Sequence, residues 1–119
     1  MSNQSFGKEG EAAAEKYLKG LGYEILARNF RTRWGELDIV AEDGDCLVFV
    51  EVKTRHDDSY GAPEEAVTRT KQGHLLKAAQ IYLNKTKRPH ALWRVDVLAL
   101  TQNKNGGFDI RHLKNAISA

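Results

Sequence analysis

At 119 residues, with a single cysteine and two prolines, the chain is long enough for one hydrophobic core that needs neither disulfides nor a structural metal. Eighteen Lys and Arg against 16 Asp and Glu leave a net charge of +2, too even a balance to identify a polyanionic partner from charge alone. No apolar run approaches the roughly 18 residues that span a bilayer, and "MSNQSFGKEGEAAAEKYL" lacks the apolar centre of a signal peptide, so the expectation is one cytoplasmic domain, residues 1–119, without membrane association.

The first element expected is a helix from about Ser5 to Leu21, rich in good helix formers and ended by Gly20 or Gly22. Glu11, Ala14, Leu18 and Leu21 fall on one face, which puts a carboxylate on the stripe that should pack inward. Strands are expected over Tyr23–Arg28 and Gly35–Ala41, and "EDGD" then carries the Asp-Gly pair of a tight hairpin. With Asp43 and Gly44 as the turn residues, Glu42 faces Asp45 and Asp38 falls opposite Phe49 to Glu51.

The next strand, "CLVFVEVKTR", opens with a continuous apolar run and then places Glu51, Lys53 and Arg55 on alternate residues. Cys46, at its start, reads as a small core residue. A second helix is expected from "YGAPEEAV" onward, with Pro63 in the first turn and Glu64 and Glu65 at the positive end of the helix dipole. Val67, Lys71, Leu75, Ala78 and Tyr82 share a face, so Lys71 interrupts an apolar stripe. Strands over Leu92–Thr101 and Phe108–Leu113 complete an α-β-β-β-α-β-β order, which describes an α/β fold with a mixed central sheet flanked by helices.

Charges on buried faces have to be neutralised by one another, by a ligand or by a metal. Residues two apart on a strand share a face, so Glu51 shares one with Lys53 and Glu36 one with Asp38, and a hairpin that aligns those faces would bring Asp38, Glu51 and Lys53 together. Paired carboxylates are the hard oxygen ligands that Mg2+ or Mn2+ prefers, with the Val52 carbonyl between them as a further donor. Lys53 would then orient the attacking water and offset charge on a phosphodiester. The competing reading is an ordinary Glu-Lys ion pair on a half-exposed strand. Arg28, Arg31, Arg33 and Arg55 flank this region and suit phosphate contacts, and Trp34 suits stacking on an unpaired base. Solvated arginines and a packed tryptophan are the alternatives. The four histidines show no zinc spacing.

"GELD" followed by "FVEVK", with twelve residues between Asp38 and Glu51, resembles the D…E-x-K signature of the PD-(D/E)XK nuclease superfamily. Together with "GKEGEAAAEKYL", "GYEILARNFRTRWGELDIVA", "YGAPEEAV" and "RVDVLAL", it resembles the bacterial YraN family of small endonucleases, related to archaeal Holliday-junction resolvases. The resemblance implies a restriction-endonuclease-like core and a magnesium- or manganese-dependent endonuclease acting on DNA, structure-selective on branched or flapped forms. It implies that Asp38, Glu51 and Glu11 hold the metal, that Lys53 assists the nucleophile, and that Lys71 takes the place of a basic or amide residue on the following helix. Leu37 departs from the proline in the superfamily's name. Symmetric resolution of a four-way junction would need two active sites and hence a homodimer, while a monomer that nicks one strand is equally compatible. The alternative function is a non-catalytic nucleic-acid-binding adaptor that retains the nuclease fold.

Overall fold

The computed structural model describes residues 3–57, 67–88 and 91–117, with side chains from Ser5 onward. Its elements are α1 (Asn3–Gly20), β1 (Glu24–Thr32), β2 (Gly35–Asp43), β3 (Cys46–Arg55), α2 (Arg69–Lys85), β4 (Leu92–Gln102) and β5 (Phe108–Ile117). The five strands form one sheet in sequence order. β3 and β4 are parallel, as the intervening helix requires, and the other pairs are antiparallel. The order and the mixed sheet are those expected from sequence.

Two apolar cores cover the two faces of the sheet. On one, Ala14 and Leu18 of α1 pack against Ile39, Ala41, Val48, Val50, Leu98 and Leu100. On the other, Leu75, Ala78, Ala79, Tyr82 and Leu83 of α2 pack against Leu37, Val40, Leu47, Phe49, Val95 and Val97. A strand covered on both sides has to be apolar at every position, which accounts for the unbroken run Leu47 to Val50. No helix among the described residues is long and apolar enough to cross a membrane.

Several boundaries differ from expectation. Leu21 lies beyond the end of α1 and is exposed, so the buried stripe stops at Leu18. β1 runs on to Thr32 and β5 to Ile117. α2 begins at Arg69, where the Thr68 hydroxyl accepts a hydrogen bond from the Lys71 amide at 3.2 Å and caps the helix. Pro63, Glu64 and Glu65 lie outside the described residues. Cys46 is half-buried at the mouth of the hairpin.

The hairpin loop consists of Gly44 and Asp45, because Asp43 pairs with Cys46. Gly44, with φ of 62°, occupies the first loop position, where a two-residue hairpin of type II′ calls for glycine. This register differs from the one expected, and its last pair, Ile39↔Val50, sets Asp38 level with Glu51.

Candidate active site

The site forms where regular pleating fails on two neighbouring strands at the same level. Ala27 pairs with Val40, and Phe30 with Leu37. All four pack on the α2 side of the sheet, although strict alternation would put residues three apart on opposite faces. Between these pairs, Ile39 packs on the α1 side, and Asn29 and Asp38 fall on a shared level. Asn29 has a left-handed backbone, with φ of 51°, which turns the edge strand and restarts its alternation.

Beyond the last β2–β3 pair, the Asp38 carboxylate reaches across the gap and accepts a hydrogen bond from the Val52 amide at 2.8 Å. It also shares a hydrogen bond with Glu51. Burial, followed by the charge of Glu51, pushes the Asp38 carboxyl up to about 8.

Glu51 is only 4% exposed, and two lysines from different elements neutralise it. Lys71 of α2 lies 2.9 Å from its Oε2, and Lys53, its neighbour on the same strand face, lies 3.4 Å from the same atom. Burial and then the adjacent Lys71 pull the Lys53 ammonium below its usual range, against the attraction of Glu51. Burial also pulls Lys71 down, but its hydrogen bonds to Lys53 and Glu51 prevail and its net shift is upward. The two lysines are therefore unequal, and Lys53 is the one nearer to giving up a proton.

On the other side of Asp38, carboxylate oxygens of Glu11, Glu36 and Asp38 all lie within 4.8 Å of one another. Glu11 arrives there because α1 lies unusually close to β3. A Cβ on Gly10 would sit 2.1 Å from the Thr54 hydroxyl oxygen, so only glycine permits that approach. Three hard oxygen donors in reach of one another fit a small divalent cation, and could hold one.

The residues expected from sequence are thus brought together around Asp38: Glu11 on one side, Glu51, Lys53 and Lys71 on the other, with the Val52 amide engaged by Asp38. The expected phosphate-contacting residues lie around this centre. Arg28 pairs with Glu15 of α1, and Arg31 with Glu36 at 3.1 Å. Arg33 stacks over Trp34 at 5.1 Å, and Lys77 over the same ring at 3.8 Å. Arg55 lies further along β3, level with Thr101 of β4. Two residues carry more of the site than the sequence reading gave them. Glu36, which the sequence places only on the face of Asp38, completes the carboxylate cluster, and Asn29, which no charge pattern marks, bridges two of its members. A signal for Asn29 existed in the apolar spacing of three on both strands, Ala27 to Phe30 and Leu37 to Val40.

The model of the "Uncharacterised protein family UPF0102" matches residues 10–100. A UPF0102 protein of Caldicellulosiruptor saccharolyticus is 45% identical over 117 residues, covering 98% of this chain and 99% of the relative. One from Syntrophomonas wolfei is 48% identical over 114 residues, covering 96% of this chain and 98% of its own. Among solved structures, Pyrococcus furiosus SfsA in complex with Ca2+ aligns with a TM-score of 0.42 at 16% identity, covering 99% of this chain and 66% of that one. The matched span takes in Glu11, Asn29, Glu36, Asp38, Glu51, Lys53 and Lys71 together, and the chain belongs to the UPF0102, YraN-like, family.

Proposed function

We propose that this chain is a divalent-metal-dependent endonuclease that hydrolyses phosphodiester bonds of DNA on a restriction-endonuclease-like core. One observation carries the reading: Asp38 stands at the split between β2 and β3 with carboxylates on both sides and two unequal lysines within reach of Glu51. An ion-pair network built only for stability would not gather Glu11, Glu36, Asp38 and Glu51 so closely, because like charges at that spacing repel.

Asp38, with Glu11 and Glu36, is the set that would hold Mg2+ or Mn2+, and Glu51 with the Val52 carbonyl lies on its other side. Such an ion, when bound, supplies charge that polarises a phosphoryl oxygen and makes a nucleophile of water at neutral pH. Lys53, nearer to neutral than an ordinary lysine, orients the water and holds its proton. Lys71 keeps its charge and faces the negative charge that grows on the phosphate. Glu51 fixes both lysine side chains, so neither has to be ordered when substrate arrives. Arg28 and Arg31 exchange their carboxylate partners for neighbouring phosphates, Arg33 and Arg55 offer further phosphate contacts, and Trp34 stacks against an unpaired base.

The test is cleavage of end-labelled single-stranded, duplex, flapped and four-way-junction DNA beside RNA of the same sequence, with Mg2+ or Mn2+ and with chelator. The expected result is metal-dependent cutting of DNA that Asp38→Ala and Lys53→Ala variants, folded by circular dichroism, lose by about 100-fold or more. Cutting of RNA alone would reassign the substrate. Binding without cutting on every substrate would replace the enzyme with a nucleic-acid-binding adaptor.

A further inference from the structure

Two carboxylates of the proposed cation site approach each other through a single neutral group. The Asn29 side-chain amide nitrogen lies 3.1 Å from Oε1 of Glu11 and 2.8 Å from Oε1 of Glu36. Asn29 is also the residue whose φ of 51° breaks the pleat of β1, at the level where Asp38 leaves the β2–β3 ladder. An ordinary strand conformation would turn its side chain to the α2 face, away from Glu11. Asparagine is among the few side chains that enter the left-handed region readily, and its amide brings two N–H donors.

We infer that Asn29 is a positioning residue that holds Glu11 and Glu36 at cation-binding separation before any ion arrives. This rests on the proposed metal site. A lysine or arginine at this place would bridge the same carboxylates but add a positive charge between them beyond that of the exposed Arg31 on Glu36, whereas an amide donates two hydrogen bonds and adds none. The chain already uses that other solution nearby, where Glu51 is bridged by Lys53 and Lys71. The site is thereby divided: on the α1 side of Asp38 the Asn29 amide bridges the Oε1 atoms of Glu11 and Glu36, with Arg31 on the outer oxygen of Glu36, and on the α2 side two ammonium groups hold Glu51. Groups that orient ligands to a metal without binding it change affinity by about 10–100-fold when removed.

The experiment is Mn2+ binding by calorimetry to the full chain, for wild type, Asn29→Gly and Asn29→Asp, beside thermal melts with and without Mn2+. Glycine accepts the positive φ and removes only the amide, so Asn29→Gly should melt within a few degrees of wild type yet bind Mn2+ about tenfold more weakly. Asn29→Asp keeps the shape and adds a fourth carboxylate to Glu11, Glu36 and Asp38, so without metal it should melt lower than wild type and regain the difference on adding Mn2+. Wild-type affinity in Asn29→Gly would overturn the role of Asn29 while leaving the metal site standing. No Mn2+ binding by the wild-type chain would overturn both.

Discussion

Asp38 carries the clearest prediction at the scale of single residues. Burial and the charge of Glu51 push its carboxyl up to about 8, against 3.8 for an ordinary one. The folded chain therefore holds this proton more tightly than the unfolded chain. Its contribution to stability is full below about pH 4 and is lost as pH rises towards 8. Asp38→Asn makes the group permanently neutral, so the metal-free variant should melt above wild type by roughly 5 °C at pH 8 and level with it near pH 4. A difference that stays constant over that range would refute the assignment. A cation has to displace the same proton, so Mn2+ affinity should climb with pH up to about 8. Asp38, Glu51, Lys53, Glu11 and Lys71 were legible in the sequence because each is a charge set in an apolar pattern. Asn29 was not, because a neutral polar residue on an edge strand violates no such pattern. Only the apolar spacing of three around it, on two strands at once, marks the break.

At the scale of elements, the seating of α1 decides where Glu11 stands, and two glycines on that helix should respond with opposite signs. Nothing lies within 4 Å of a Cβ added at Gly7, whereas one at Gly10 would meet the Thr54 hydroxyl at 2.1 Å. Gly7→Ala should therefore stabilise by up to about 1 kcal/mol, through helix propensity alone. Gly10→Ala should destabilise by about 1–3 kcal/mol and weaken Mn2+ binding, since α1 must move off β3 and take Glu11 with it. Denaturant melts of both variants decide the matter, and equal stabilisation by both would mean that α1 is not held close. Element order and type were legible because the helical stripes and the doubly covered strand β3 leave strong periodicities. Lengths were less so. β1 extends past Arg28 although the turn at Asn29 interrupts the alternation, and β5 extends past Leu113 although Lys114 to Ala116 are exposed and carry no inward pattern. The hairpin register differs from the expected one because Gly44 and Asp45, rather than the Asp-Gly pair of "EDGD", occupy the two loop positions.

Over the whole molecule, a second polar network lies under α1 and ties the distant end of the sheet together. Asp96 of β4 is fully buried and accepts hydrogen bonds from Arg94 Nε at 3.0 Å and the Asn115 amide at 2.9 Å. Its other oxygen lies 2.7 Å from His112 Nε2, and Nδ1 of that ring meets the Tyr17 hydroxyl of α1 at 3.1 Å. Arg94 continues to the Tyr23 hydroxyl at 2.9 Å and to Asp43 at 3.3 Å. One carboxylate thus links α1, the β2–β3 hairpin, β4 and β5. Tyr17, Tyr23 and Asp43 lie 95, 71 and 51 residues from the partners they meet in this network, so no local pattern announces their meeting. Asp96→Ala strands a part-buried guanidinium and an amide, and should cost about 3–5 kcal/mol in denaturant melts. Mn2+ affinity of its folded fraction should stay at the wild-type value, since none of these groups belongs to the Asp38 cluster, and a fall there would show that the two networks are coupled. The central claim, that the break in the sheet at Asp38 is a divalent-cation site, is tested most directly by anomalous diffraction from crystals grown with Mn2+. The account predicts an anomalous peak within bonding distance of the Asp38 carboxylate and bounded by Glu11 and Glu36. Its absence at Mn2+ concentrations that support cleavage, or a peak held elsewhere on the chain, would contradict it.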